Sequence, residues 1–313
     1  MIRIYTGLDC HLGDLIIFTG LFPFIKKQWP DSYICFAMLD KYKEFGEIAL
    51  ADELINDVYF IENDEKLGHG SVMGREKEKE FKKQFDIAHD TSIVQIPDFP
   101  NKVGYKGVWG SILKHYGATK IPAIDVDMNI AKTRLCIDDN NDILNKLGLQ
   151  EDNYIVIQTA GNKQTAGPTT LSPDKWTSII KNIKTNTNFK VVQIGFNKEK
   201  EDLGSDIFLD ISYHIRDLIF VIKNCKLLFG MNSGPGWMAG NYNKKSIIIM
   251  SSTSVAGDFR LIDSHYAVPN NKNMIVIQAS GHNADIIPES LVLDVFYKIL
   301  NKHEINGPLL LKV

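Results

Sequence analysis

Cysteine is scarce in this sequence and scattered. Cys10, Cys35, Cys136 and Cys225 stand far apart in 313 residues, with no Cys-x-x-Cys pair and no secretory leader ahead of them. That usage excludes a disulfide framework and a zinc ribbon, and it points to buried thiols in a reducing, cytoplasmic setting. Long apolar runs are missing as well. The longest, Leu15 to Ile25, contains Thr19, Gly20 and Pro23 and falls short of the ~20 residues that a membrane-spanning helix needs. A basic surplus is absent too: 35 Lys and Arg face 38 Asp and Glu, for a net charge of -3. Phosphate neutralisation needs an excess of positive charge, so the balance argues against a nucleic-acid partner. Metal-ligand spacing is lacking among the His, Cys and carboxylate residues. Asp138 to Asp142 has neither the glycine nor the distal glutamate of a calcium loop. The expectation is therefore no metal and no bound cofactor.

What remains is an ordinary globular composition, 44% hydrophobic and 23% charged, with a length that suggests two domains. Ile2-Arg3-Ile4-Tyr5 alternates as a strand, and Asp14 to Gln28 has helical periodicity up to the stop at Trp29-Pro30-Asp31. Tyr33 to Ala37 and Val58 to Ile61 read as strands around a helix over Tyr42 to Leu50. Such alternation implies a parallel, layered α/β domain. Residues 63–84 break the rhythm. Gly68, Gly70 and Gly74 precede the charged run Arg75 to Lys83, with five basic residues against three glutamates. A solvated helix is the plain reading; a flap meeting an anionic acceptor is the sharper one.

A second series restarts near residue 150. Tyr154 to Ile157 is a strand, Ser172-Pro173-Asp174 opens a helix with Ser172 as N-cap, and Lys190 to Ile194 is the next strand. Ile215 to Asn224 is an amphipathic helix, Ser246 to Met250 a strand, and Ser290 to Asn301 the last helix. The sequence thus predicts a first domain over 1–133 and a second domain over 134–313, with the last helix packing back on the first. In such sheets ligands bind outside the carboxyl ends of the strands.

The most informative stretch runs from Leu227 to Ala239, where a strand feeds Gly230-Met231-Asn232-Ser233-Gly234-Pro235-Gly236 and then a helix. Ser233 and free backbone N–H groups at a helix N-terminus suit an anion. Pro235 has no N–H, which leaves Gly234 and Gly236 as the backbone donors. A nucleophile elbow is excluded, because Met231 and Pro235 occupy its glycine positions. The loop Gly161 to Gly167 is not a P-loop, though Lys163 can reach a phosphate as a point charge. Asp125-Val126-Asp127 has the DxD form of metal-dependent glycosyltransferases of another fold; its alternation with apolar residues favours an exposed strand face. His11-Leu12-Gly13-Asp14 follows the first strand. Asp14 there either caps a helix or takes a proton from an attacking hydroxyl.

Taken in order, these pieces resemble the lipopolysaccharide heptosyltransferases of glycosyltransferase family 9. Leu12-Gly13-Asp14 with Trp29-Pro30-Asp31 is similar to the family's opening, and Pro173-Asp174-Lys175-Trp176 to its "WPxExW" helix start. Asn232-Ser233-Gly234-Pro235 stands where the family has Asp-Ser/Thr-Gly-Pro. The resemblance implies a GT-B fold: two Rossmann-like domains facing each other across a cleft, acceptor on the first and nucleotide-sugar on the second. It implies metal-independent, inverting transfer of a heptose-like or other hexose to a saccharide or glycolipid acceptor. Such an acceptor would be met from the cytoplasmic side, by surface contact with the membrane. Asp14 matches the family's general base, with His11 and Gly13 beside it on the acceptor side. The implied donor site comprises Thr159, Gly161, Lys163, Asn232, Ser233, Gly234, Gly236, Trp237 and Thr253, the last in a "G-x-T-x-P"-like turn. Three departures stand out. Asn232 replaces an acidic residue, Trp237 replaces a histidine, and the lysine before the "WP" pair is missing.

Overall fold

The computed structural model describes residues 1–9, 12–64, 69–89, 133–139, 142–159, 170–195, 202–209, 214–231, 233–251, 273–281, 283–302, 305 and 309–313. The chain divides into two compact units, Met1–Ile137 and Asp138–Val313. The break falls a few residues after the position that the sequence suggested, for a physical reason. Arg134 is held to the first unit: its N–H donates to the Thr19 hydroxyl at 2.7 Å, and its guanidinium forms a two-point pair with Asp52.

The first unit is a parallel sheet of β1 (Arg3–Gly7), β2 (Tyr33–Leu39), β3 (Asp57–Ile61) and β6 (Ile87–Ala88), in the order β3-β2-β1-β6. A short antiparallel hairpin, β4 (Asn63–Asp64) with β5 (His69–Gly70), leads into α4 (Val72–Lys82). On one face, Phe36 of β2 stacks on Phe18 and meets Phe22 edge-on. The helix expected over Asp14 to Gln28 is two helices, α1 (Leu12–Phe18) and α2 (Phe22–Gln28), with a tight 3-10 turn between them. Pro23 at the start of α2 supplies no N–H, and the Thr19 hydroxyl bonds back to the Ile16 carbonyl at 2.6 Å, so the ladder is interrupted there. α3 (Lys43–Leu50) matches its expected range closely.

The charged helix α4 is less solvated than its sequence implies. Glu78 is buried at 4% exposure, accepts from the Tyr5 hydroxyl at 3.0 Å and pairs with Lys82 at 2.8 Å. Phe81 of the same helix stacks on Tyr59 and Tyr5 stands edge-on to both, so the alternating charges flank an aromatic seam. Burial, then Glu78, push the Tyr5 hydroxyl far above its ordinary pKa.

The second unit holds a seven-stranded parallel sheet, β13-β12-β11-β10-β7-β8-β9. Its strands are β7 (Tyr154–Gln158), β8 (Lys190–Ile194), β9 (Ile207–Leu209), β10 (Leu227–Met231), β11 (Ser246–Met250), β12 (Met274–Gln278) and β13 (Leu309–Lys312). Read from β9, the first six follow the 3-2-1-4-5-6 order of a dinucleotide-binding Rossmann sheet. The helices are α5 (Ile143–Lys146), α6 (Pro173–Asn186), α7 (Ile215–Asn224), α8 (Gly234–Asn241) and α9 (Glu289–Leu300). One sheet face carries Ile155, Ile157, Phe229, Ile247, Ile249 and Ile277 against Trp176, Ile179, Val292 and Phe296 of α6 and α9. The last helix therefore buries its apolar stripe in the core of its own unit. Val292, Phe296 and Ile299 lie on one helical face, and the sheet of the second unit covers it.

Candidate functional site

Both units place a strand-order reversal beside their first strand, between β1 and β6 in one and between β7 and β10 in the other. Such a switch point opens a crevice at the carboxyl ends of the strands.

In the second unit Gln158 and Thr159 stand at the carboxyl end of β7, and Ser233 to Gly236 open α8 after the neighbouring strand β10. Gly230 lacks a side chain because Gln158 fills the space beside it; a Cβ there would stand 2.8 Å from that of Gln158. Ser233 is the N-cap of α8 in extended conformation, yet its side chain does not cap. Its hydroxyl donates instead to Gln158 Oε1 at 2.6 Å. The Gly236 N–H turns back on the Ser233 carbonyl at 3.0 Å. Of the two backbone donors expected there, Gly236 spends its N–H within the turn, and Pro235 has none.

Thr159 belongs to the scaffold of the crevice. Its hydroxyl accepts from Gln193 Nε2 at 3.3 Å, and its carbonyl accepts from the Thr170 hydroxyl at 3.0 Å. Thr170 in turn accepts from Trp176 Nε1 at 2.9 Å, and Gln193 Oε1 accepts from the Leu203 N–H. The Pro-Asp-Lys-Trp helix start is thereby tied to the end of β7. Lys175 closes the other side, reaching the carbonyls of Asp285 and Ile287. Trp237 is buried at 3% exposure within α8, where Pro235 to Asn241 are all buried. That environment makes it a packing residue rather than an open stacking surface. Gly161, Lys163, Asn232 and Thr253 lie outside the described residues.

In the first unit, α1 begins just beyond β1 and carries Gly13 and Asp14 in its first turn; His11 lies outside the described residues. The end of β1 brings polar groups together that the sequence did not flag. Thr6 Oγ1 and His89 Nδ1 are 2.8 Å apart, both residues fully buried. Asp9, 1% exposed, pairs with the Arg75 guanidinium, whose Nε donates to the Gly70 carbonyl at 3.2 Å. Their one sequence signal is position: each polar residue closes an otherwise apolar strand or opens a helix beside one. Gln158 and Gln278 carry the same signal, since both end an Ile-Val-Ile-Gln strand.

Among the described residues, no three His, Cys, Asp or Glu side chains come close enough to hold a metal ion, and no helix is long and apolar enough to cross a membrane. The DxD segment, Asp125 to Asp127, is outside the described residues.

No family model matches the sequence, and no curated protein matches it. Solved structures do match. The glycosyltransferase family 9 protein of Veillonella parvula superposes with a TM-score of 0.71 at 14% identity, over 96% of this chain and 97% of that one. ADP-heptose LPS heptosyltransferase II of E. coli gives 0.67 at 12% identity, over 96% and 98%. The E. coli heptosyltransferase WaaC, solved with ADP, gives 0.63 at 12% identity, over 95% and 100%. At these identities the likeness speaks for the fold, and the chain shares along nearly its whole length the two-Rossmann, GT-B type fold of the family 9 heptosyltransferases.

Proposed function

We propose that the protein is a glycosyltransferase that moves a hexose or heptose-like sugar from a nucleotide-sugar to a saccharide acceptor in cell-surface glycan or lipopolysaccharide synthesis. The observation that carries the reading is the helix start Ser233 to Gly236 beside the switch point, on a sheet of Rossmann order within a fold matched over 96% of the chain. On this reading the second unit holds the donor and the first holds the acceptor. The Gly234 N–H and the positive end of α8 face the donor diphosphate, and Lys163 adds a point charge. Each well-placed donor at a departing phosphate is worth ~3–4 kcal/mol.

The transfer is inverting and metal-independent in this account. Asp14 takes the proton of an acceptor hydroxyl while that oxygen attacks the anomeric carbon. The bond from the anomeric carbon to the diphosphate oxygen breaks on the opposite face, and the nucleoside diphosphate departs with the electron pair. The protein works on the cytoplasmic side and meets a lipid-linked acceptor by surface contact alone. Asp14→Asn is expected to abolish transfer while sugar-nucleotide affinity survives; unchanged turnover removes the base role.

Three observations favour a second reading, a nucleotide-sugar-binding protein without transfer. The Gly236 N–H is spent on the Ser233 carbonyl, Trp237 is buried where the family has a histidine, and Asn232 carries no charge. Donor binding with no turnover on any acceptor distinguishes it.

A further inference from the structure

The edge strands of the two sheets are not alike. Among the described residues, β6 and β9 are two and three residues long, and β3 is flanked by Asp40, Lys43, Glu62 and Lys77, which line the cleft beside it. Short strands and charged flanks are ordinary ways of keeping an edge from pairing with another chain. β13 is protected in neither way. It is four residues long, Leu309-Leu310-Leu311-Lys312, with a single charge, and Leu309 and Leu311 are 44% and 36% exposed.

The register fixes which groups this edge offers. The Val313 N–H donates to the Gln278 carbonyl at 2.8 Å, and the Val313 carbonyl accepts from the Ser280 N–H, so the Val313 backbone faces β12. Alternation along the strand turns the backbones of Leu309 and Leu311 the same way. It leaves the N–H and C=O groups of Leu310 and Lys312 pointing away from the sheet. Leu309 and Leu311 stand in register with Ile275 and Ile277, which lie in the core under α9, so both leucines emerge on the α9 face. Val313 follows them there, half-buried against that core. Glu289 and Tyr297 of α9 engage Ser178 and Asn182 of α6; Leu291 lies on the opposite flank, toward β13.

This row is its own complement. Turned about a twofold axis at Leu311, a second copy of β13 runs antiparallel to the first. Leu310 and the partner's Lys312 then exchange N–H···O=C bonds in both directions, as do Lys312 and the partner's Leu310. Leu311 meets the partner's Leu311 at a non-hydrogen-bonded position, where side chains approach most closely, and Leu309 meets the partner's Val313. We infer that β13 is the pairing strand of an isologous dimer, in which the sheets of two second units join edge to edge across Leu311. The joined sheets run in opposite directions, so their switch points open on opposite edges.

Sedimentation equilibrium of the full chain tests this. At ~10 μM, above a dissociation constant of about 1 μM at the weak end for a specific interface, a dimer is expected. Lys312→Pro removes an outward N–H and leaves the β12 ladder intact, and Leu311→Lys sets like charges against each other at the axis. Each is expected to weaken the dimer by about tenfold or more, with the circular dichroism of the wild type retained. Leu311→Cys is expected to give a disulfide-linked dimer on mild oxidation, because a non-hydrogen-bonded pair brings the two Cα atoms within bridging range; the wild type and Lys312→Cys are not. A wild type that is monomeric at this concentration overturns the inference, as does a dimer that both Lys312→Pro and Leu311→Lys leave intact. A dimer in which Leu311→Cys does not cross-link overturns it too, and that arm decides the matter if the other two variants do not fold.

Discussion

Gly230 and Gln158 sit side by side on neighbouring parallel strands, and the second residue occupies the volume that a side chain on the first would need. A Cβ on Gly230 would lie 2.8 Å from Gln158 Cβ and 3.2 Å from its carbonyl oxygen. The backbone carbonyl cannot move without disturbing the sheet. Gly230→Ala is therefore expected to destabilise the protein by about 1–3 kcal/mol, the usual cost of overpacking. Because Gln158 holds Ser233, the same change weakens nucleotide-sugar binding. Denaturant melts and donor titrations of the variant check both; a variant as stable as the wild type contradicts the packing.

Arg75 neutralises Asp9 at the end of β1. Asp9 is almost wholly buried, while the guanidinium is 35% exposed. Removing the cation takes the paired charge away from a carboxylate in a poorly solvated position. Arg75→Met is expected to cost about 3 kcal/mol, the low end for breaking a buried pair because Arg75 is partly hydrated. Adding Asp9→Asn to that variant recovers most of the loss. Equal losses in the single and double variants contradict the pairing.

Gln278 ends β12 with both amide atoms buried and with no hydrogen-bond partner among the described residues. An unpaired buried amide costs ~1–3 kcal/mol, and an apolar group of the same shape avoids it. Gln278→Met is thus expected to be neutral or stabilising in thermal melts. A marked destabilisation contradicts the account.

Two carboxylates set the acid sensitivity of the second unit. Burial pushes Asp206 up, but Lys184 at 2.8 Å and the Val191 N–H at 2.8 Å outweigh it and hold the carboxyl below its ordinary value. Asp285 is likewise pushed up by burial and pulled lower by the Ser172 N–H and Lys175. A depressed folded pKa contributes stability that is complete above the unfolded carboxylate value of about 3.9 and is lost as pH falls through the folded value. The Asp206→Asn, Asp285→Asn variant is expected to be less stable than the wild type at pH 7 and to approach it below about pH 4. Parallel stability curves from pH 7 to 3 contradict this.

The fold was legible from period and punctuation. Strands such as Tyr33 to Ala37 and Lys190 to Ile194 are short apolar runs between turn residues, and Ser172-Pro173 marks a helix start that the structure keeps. The two-helix break at Thr19–Leu21 was hidden, because Pro23 reads equally as a tolerated first-turn residue and as a breaker. At the donor turn, residue types gave the position of Ser233 and Gly234 but not their hydrogen-bond polarity. That polarity depends on Gln158, 75 positions away in sequence and one strand away in space. The same holds for Asp9 with Arg75 and Thr6 with His89, pairs that only the parallel register and the hairpin at Gly70 bring together.

The central claim is that the switch point of the second unit holds a nucleotide-sugar. Thermal denaturation in the presence of ADP-, GDP-, UDP- and CMP-linked sugars tests it most directly. At a hundredfold excess over its dissociation constant, the matching donor is expected to stabilise the protein by ~2.7 kcal/mol, with the others ranked below it. A melting temperature unmoved by every sugar nucleotide in the panel contradicts the claim.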